Sequence, residues 1–372
     1  PTGKTPQYFI AEVQRFLRAW NTVEGGAELQ TLGIDPAVVP AMASLHFVQI
    51  DEFYPMNPRH TNSFYHYVDT YYLEGFGIPR EQALLINTEG IGIPRGSSLE
   101  DVWGDDAVDL TLRYRPPRSR REEIQKSVIH GVDEWCGRYE EHIRSLGGIG
   151  FFLGGLGPDG HVAFNVRGAD PHSTTRLAEI NYESQAAAAG DLGGIEVARK
   201  RLTITIGLAT ITHNPNATAI IMAAGEAKAQ VVAEAVEDPP SVLRPASALH
   251  GLKNAAFYLT RGAAKGLGKR RLERLKDEEN LSDRDRHQIV IDVALVHGTP
   301  VRELTEEQLR EDPFGALLLQ RSTQGVAELL AEVDGTIRRK FDAGMEIRSN
   351  QRFLHTEPHH DDIMLGYLPY VV

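Results

Sequence analysis

Cysteine is nearly missing: the 372 residues contain one, Cys136. A single thiol excludes an intrachain disulfide framework and suits a reducing cytosol. No apolar run is long enough to span a bilayer, and no stretch reads as a signal peptide, so the expected location is cytoplasmic. Basic residues are in deficit, 39 against 51 acidic ones, and the formal charge of −12 argues against nucleic acid or an anionic membrane as the main partner. The run Arg261–Lys276 is the local exception. Asp277-Glu278-Glu279 follow it at once, the pattern of a solvated helix. An initiator methionine is lacking too. The opening Pro1–Pro6 reads as a turn between a strand and a helix, so a strand of a larger protein is expected ahead of it.

What is present is ordinary for a soluble globular chain, with 41% hydrophobic and 24% charged residues. The length leaves room for one large α/β domain and something more. The organising stretch is Phe151–Asn165, FFLGGLGPDGHVAFN. Ile149 and Phe151–Leu153 read as a buried strand that breaks at Gly154-Gly155, followed by a loop presenting Asp159 and His161. Open α/β sheets bind ligands beyond the carboxyl ends of their strands. An imidazole beside a carboxylate is a unit for moving protons, because the acid fixes the tautomer and raises basicity. The alternative is a loop of solvated polar groups.

Around this stretch, strand and helix patterns alternate. Pro6–Trp20 reads as an amphipathic helix, Leu45–Ile50 as a strand ending in Asp51-Glu52, and His60–Tyr72 as an aromatic-faced helix. Ala83–Asn87 is a short strand, Glu89–Arg118 a Gly- and Pro-rich excursion, and Arg120–Leu146 a long helix. Ala186–Ala189 is helix-prone; Arg201–Ile211 alternates at its start like a strand and then reaches Gly207, and Ala217–Ala224 and Ala255–Leu259 read as strands. The order predicts a doubly wound, mostly parallel α/β sheet over 1–268, a helical connector over 269–345, and the start of another domain over 346–372. Asp51 and Glu52 are either a helix cap or the place of a catalytic base. Thr2, Gly3, Lys4 and Thr5 read as a cradle of backbone amides at a helix N-terminus, fit for phosphate. Lys228 opposes the dipole of the helix it begins, which an anion nearby would explain; snorkelling to water is the other reading.

Together these pieces resemble the glucosamine-6-phosphate deaminase family, of the sugar-phosphate isomerase and 6-phosphogluconolactonase superfamily. The resemblance covers roughly Pro1–Gly268 and is most specific in GGLGPDGHVAFN. It implies a NagB-like, modified Rossmann fold with a C-terminal helical extension. It also implies conversion of glucosamine 6-phosphate to fructose 6-phosphate and ammonia without a cofactor. Carried over residue by residue, Asp51 is the base, Asp159 the relay acid and His161 the ring-opening histidine. PTGKTP matches a phosphate loop of Thr2, Gly3, Lys4 and Thr5, with Lys228 as phosphate-binding lysine. Glu52, Gly155, Gly160 and Asn165 are the further pocket residues.

Two positions depart. The relay glutamate falls on Val166, leaving Glu52 or Arg167 as replacements, and no arginine occupies Ala188–Gly190. His359-His360-Asp361-Asp362 resembles the opening of zinc-dependent sugar N-deacetylases, implying His359 and Asp362 as zinc ligands and Asp361 as base. The implied partner is a small-molecule hexose 6-phosphate, with homo-oligomers allowed. The alternatives are a related hexose-6-phosphate isomerase or lactonase, or a sugar-phosphate-binding domain fused to a deacetylase.

Overall fold

The computed structural model describes the chain from Thr2 to Glu346 except Lys4 and Asp105; the expectations for Lys4, His359, Asp361 and Asp362 therefore lie outside the described residues. The chain divides into two compact units, Pro1–Gly268 and Lys269–Val372, each with a hydrophobic core of its own.

The first unit has an α/β fold. Its strands are β1 (Phe47–Val48), β2 (Asp51–Tyr54), β3 (Ala83–Leu84), β4 (Phe151–Gly155), β5 (Arg176–Ala178), β6 (Leu202–Thr205), β7 (Thr218–Ala223) and β8 (Asn254–Leu259). Its helices are α1 (Gln7–Ala19), α2 (Val23–Thr31), α3 (Phe64–Tyr67), α4 (Leu99–Trp103), α5 (Arg120–Ser145), α6 (Tyr182–Leu192), α7 (Ile195–Ala198), α8 (Leu208–Thr212) and α9 (Ala229–Glu237).

β4, β7 and β8 form a parallel sheet with β7 in the centre, and β1 and β3 form a second parallel pair. β7 reads TAIIMA, a continuous apolar run, as a strand with neighbours on both sides requires. β2, β6 and β5 form an antiparallel sheet that the sequence pattern did not announce.

Two expectations are corrected here. The strand over Leu45–Ile50 is two: β1 stops at Val48, and the chain re-enters a different sheet at Asp51. Arg201–Ile211 starts as a strand, as expected, and β6 ends at Thr205. Gly207 then leads into α8, where a Cβ would lie 1.9 Å from the Ser173 carbonyl oxygen. Phe151 is 53% exposed and not buried, and β4 continues through Gly154-Gly155.

α5 ties these sheets together. Ser119 Oγ accepts from Glu122 N (3.2 Å), Glu122 and Glu123 sit in the first turn, and His142 and Arg144 in the last. Cap and charges both favour a helix here. Val128, Ile129, Val132, Cys136, Tyr139 and Ile143 recur at helical spacing and share one core with Phe152, Ile204 and Ile221. At its far end Tyr139 Oη lies 2.7 Å from Gln49 O and 2.9 Å from Leu84 O, so one hydroxyl fastens α5 to the ends of β1 and β3.

In the second unit, α10 (Gly268–Asp277), α11 (Asp283–His297), α12 (Glu306–Glu311), α13 (Pro313–Arg321) and α14 (Val326–Met345) surround Leu275, Ile289, Val290, Leu309, Leu318, Leu329 and Val333. The stretch read as a connector thus buries a core of its own. Among the described residues, no helix is long and apolar enough to cross a membrane.

Candidate active site

The loop after β4 is shaped by close approach. Gly157 N donates to His161 O (2.9 Å) and Gly160 N to Gly157 O (3.2 Å), folding the segment back on itself. Gly160 holds φ +83°, the left-handed region that glycine enters without penalty. At Gly157 a Cβ would stand 2.1 Å from the His161 ring, so the imidazole lies directly on the backbone. Its ring also stacks on Phe164, with centroids 5.5 Å apart and planes at 23°. Ala163 has φ +50°, an uncommon conformation for a residue with a Cβ. Gly157→Ala is therefore expected to displace the His161 ring and lower turnover by roughly tenfold to a hundredfold with the fold retained. A crystal structure and kcat of that variant check it; an unmoved ring with full activity would refute it.

His161 Nδ1 lies 2.5 Å from Asp159 Oδ1, and Asn181 Nδ2 donates to Asp159 Oδ2 (2.7 Å). Asp159 is buried. Burial opposes its charge, but the hydrogen bonds from His161 and Asn181 outweigh that and hold its carboxyl down to about 2. An ionised carboxylate only accepts, so the proton between them sits on Nδ1, and Nε2 is the ring nitrogen not bonded to Asp159. Ser184 Oγ stands 3.3 Å from the same Nδ1, and Arg167 Nε donates to Asp159 O (3.2 Å). Asn181 and Ser184 were not anticipated. An asparagine ahead of an alanine run is a legible helix cap, but no spacing rule reveals a second partner for it.

Asp51 and Glu52, neighbours in β2, have different fates. Glu52 accepts from Ser63 Oγ (2.7 Å), Phe53 N (2.9 Å), Phe64 N (3.2 Å) and Tyr65 N (2.7 Å). Burial outweighs these four donors and raises its pKa to about 7. Its carboxylate is spent on the start of α3. Asp51 is buried, and desolvation, with the charge of Glu52 adding to it, raises its pKa well above the ordinary carboxylate range.

β6 connects Asp51 to the histidine loop. Asp51 stands opposite Thr205, whose Oγ1 accepts from Phe164 N (3.0 Å). Asn165 Nδ2 donates to Ile206 O (2.9 Å) and to Val162 O (3.0 Å). Asn165 is fully buried and shapes the loop. Gly155 has open space where a Cβ would be.

Lys228, at the entry to α9, donates from Nζ to Leu156 O in the same loop. Burial lowers its pKa and the charge of Asp159 partly restores it, which brings the cation into the field of the Asp159–His161 pair. Gly3 has φ +81°, and its carbonyl accepts from Tyr67 Oη (3.0 Å). Thr2 and Asp51 line a cavity of about 440 Å³ whose walls are Phe47, Val68, Tyr72, Phe152 and similar residues. Among the described residues no lysine or arginine lines it. Among the described residues no cluster of three or more His, Cys, Asp or Glu could hold a metal.

No family model matches the chain. It is 26% identical over 219 residues to the glucosamine-6-phosphate deaminase of Bacillus velezensis, a match that spans 59% of this chain and 73% of that protein. With the glucosamine-6-phosphate deaminase of Rhodopirellula baltica it shares 34% identity over 152 residues, 41% of this chain and 59% of that protein. A solved monomeric glucosamine-6-phosphate deaminase aligns over 71% of this chain and 85% of its own, at 21% identity and a TM-score of 0.48.

Proposed function

We propose that the unit Pro1–Gly268 converts glucosamine 6-phosphate to fructose 6-phosphate and ammonia. The observation that carries the reading is the pair of buried Asp159 and partly buried His161 after β4, in a chain similar to deaminases of that name. His161 moves the proton that opens the sugar ring. Asp51 removes the C2 proton of the open-chain aldehyde and returns a proton to the adjoining carbon, a task suited to a desolvated carboxylate. The shift turns the C2 amine into an imine, which water hydrolyses to the ketone and ammonia. Lys228 and the amides of Thr2–Thr5 hold the phosphate, away from the reacting carbons. The scheme uses no redox cofactor.

A second reading has its own support. Val166 carries no ionisable group beside this site, and Ala186–Gly190 on α6 offers no cation. On that reading the unit binds a hexose 6-phosphate without turning it over. Ammonia release from glucosamine 6-phosphate separates the two. Calorimetry tests what they share. Glucosamine 6-phosphate is expected to bind and glucosamine to bind far more weakly, and Lys228→Ala to cost about 1.5–3 kcal/mol of the phosphate-dependent affinity. Equal affinities for the two sugars would sink both readings.

A further inference from the structure

We infer that Asn181 is a positioning residue for the proton-transferring histidine, joined by Ser184 three residues on. Asn181 sits between two obligations. Its Oδ1 accepts from Ser184 N (3.0 Å), capping α6, and its Nδ2 donates to Asp159 Oδ2 (2.7 Å). The amide cannot turn over without presenting its oxygen to a carboxylate and its NH₂ to a backbone N–H. Both carboxylate oxygens of Asp159 thereby face nitrogen donors, His161 Nδ1 on one and Asn181 Nδ2 on the other. The carboxylate plane is fixed, and with it the tautomer and tilt of the imidazole.

Ser184 is buried, and its Oγ stands 3.3 Å from Nδ1. The start of α6 thus supplies one polar side chain to each member of the pair, Asn181 to the acid and Ser184 to the ring. Val166, the residue after the loop, has no polar side-chain atom with which to do the same. The catalytic part of the inference rests on the proposed function; the geometric part stands without it.

The test uses Asn181→Ser, which keeps a capping oxygen for Ser184 N but cannot reach Asp159, together with Ser184→Ala. The protein is labelled with ¹⁵N-histidine, and His161 is assigned through His161→Gln. In the wild type, neutral His161 is expected as the Nδ1–H tautomer. In Asn181→Ser the ¹⁵N shifts should move toward a tautomer mixture, with an unchanged melting temperature. If the unit is the proposed enzyme, kcat should fall about tenfold with KM within about twofold, because the lost contact orients a transition-state group. Ser184→Ala should move the same signals by less. Unaltered His161 shifts in both variants would overturn the inference and leave Asn181 a cap alone. A wild type that shows the Nδ1–H tautomer but releases no ammonia would overturn the proposed function and leave the positioning role intact.

Discussion

Asp51→Asn is expected to reduce turnover by about 10²–10⁴-fold while affinity for glucosamine 6-phosphate changes little. The amide keeps the size and polarity of the acid but cannot take the C2 proton. The loss should therefore fall on kcat, since the interaction removed exists only in the transition state. The pH profile gives an independent reading. A base works only when ionised, and burial raises the Asp51 pKa. The acid limb of kcat should therefore rise at a pH well above the ordinary carboxylate range, and activity should grow as pH increases through it. Rates for the Asp51→Asn variant within about threefold of wild type, or an acid limb at the pKa of a free carboxyl group, would remove Asp51 from the mechanism.

Glu140→Ala is expected to cost about 1–3 kcal/mol of stability, the scale for leaving buried hydrogen-bond donors unsatisfied. Glu140 Oε2 accepts from Thr210 Oγ1 (2.6 Å), Thr175 Oγ1 (2.8 Å) and Thr175 N (3.1 Å), and Oε1 from Arg144 Nε (2.9 Å). One side chain thus joins α5, the entry to β5 and α8, and alanine would leave three buried donors without a partner. Burial opposes the charge of Glu140, but its hydrogen bonds prevail and lower its pKa. A depressed carboxylate pKa contributes stability that is fully present above the unfolded-state value and is lost as pH falls through the folded one. The wild type should accordingly lose more stability than Glu140→Gln between about pH 5 and pH 3. Chemical denaturation across that range measures the difference. Parallel curves for the two proteins, or a loss below about 1 kcal/mol for Glu140→Ala, would show that the network contributes little.

Much of this protein is decided locally. The periodicity of α5, the apolar run of β7 and the glycines around Asp159 and His161 each reflect a short-range rule: helical spacing, two-sided burial, or a backbone that must turn sharply. A histidine two residues from an aspartate across Gly160 can meet it wherever the chain folds back, and it does. Neighbours in sequence part company where partners come from far along the chain. Asp51 and Glu52 look alike as letters, yet Glu52 is taken up by four donors from residues 53–65 while Asp51 is buried opposite Thr205. The same applies to Asn165, drawn into the core by Ile206 O. Asn181 went unread in the sequence, because its bond to Asp159 joins residues 22 apart. Spacing along the chain determines which atoms can meet nearby. Which distant donor a buried carboxylate receives depends on strand pairing and register, and these follow from the competition of all strands and helices for one core.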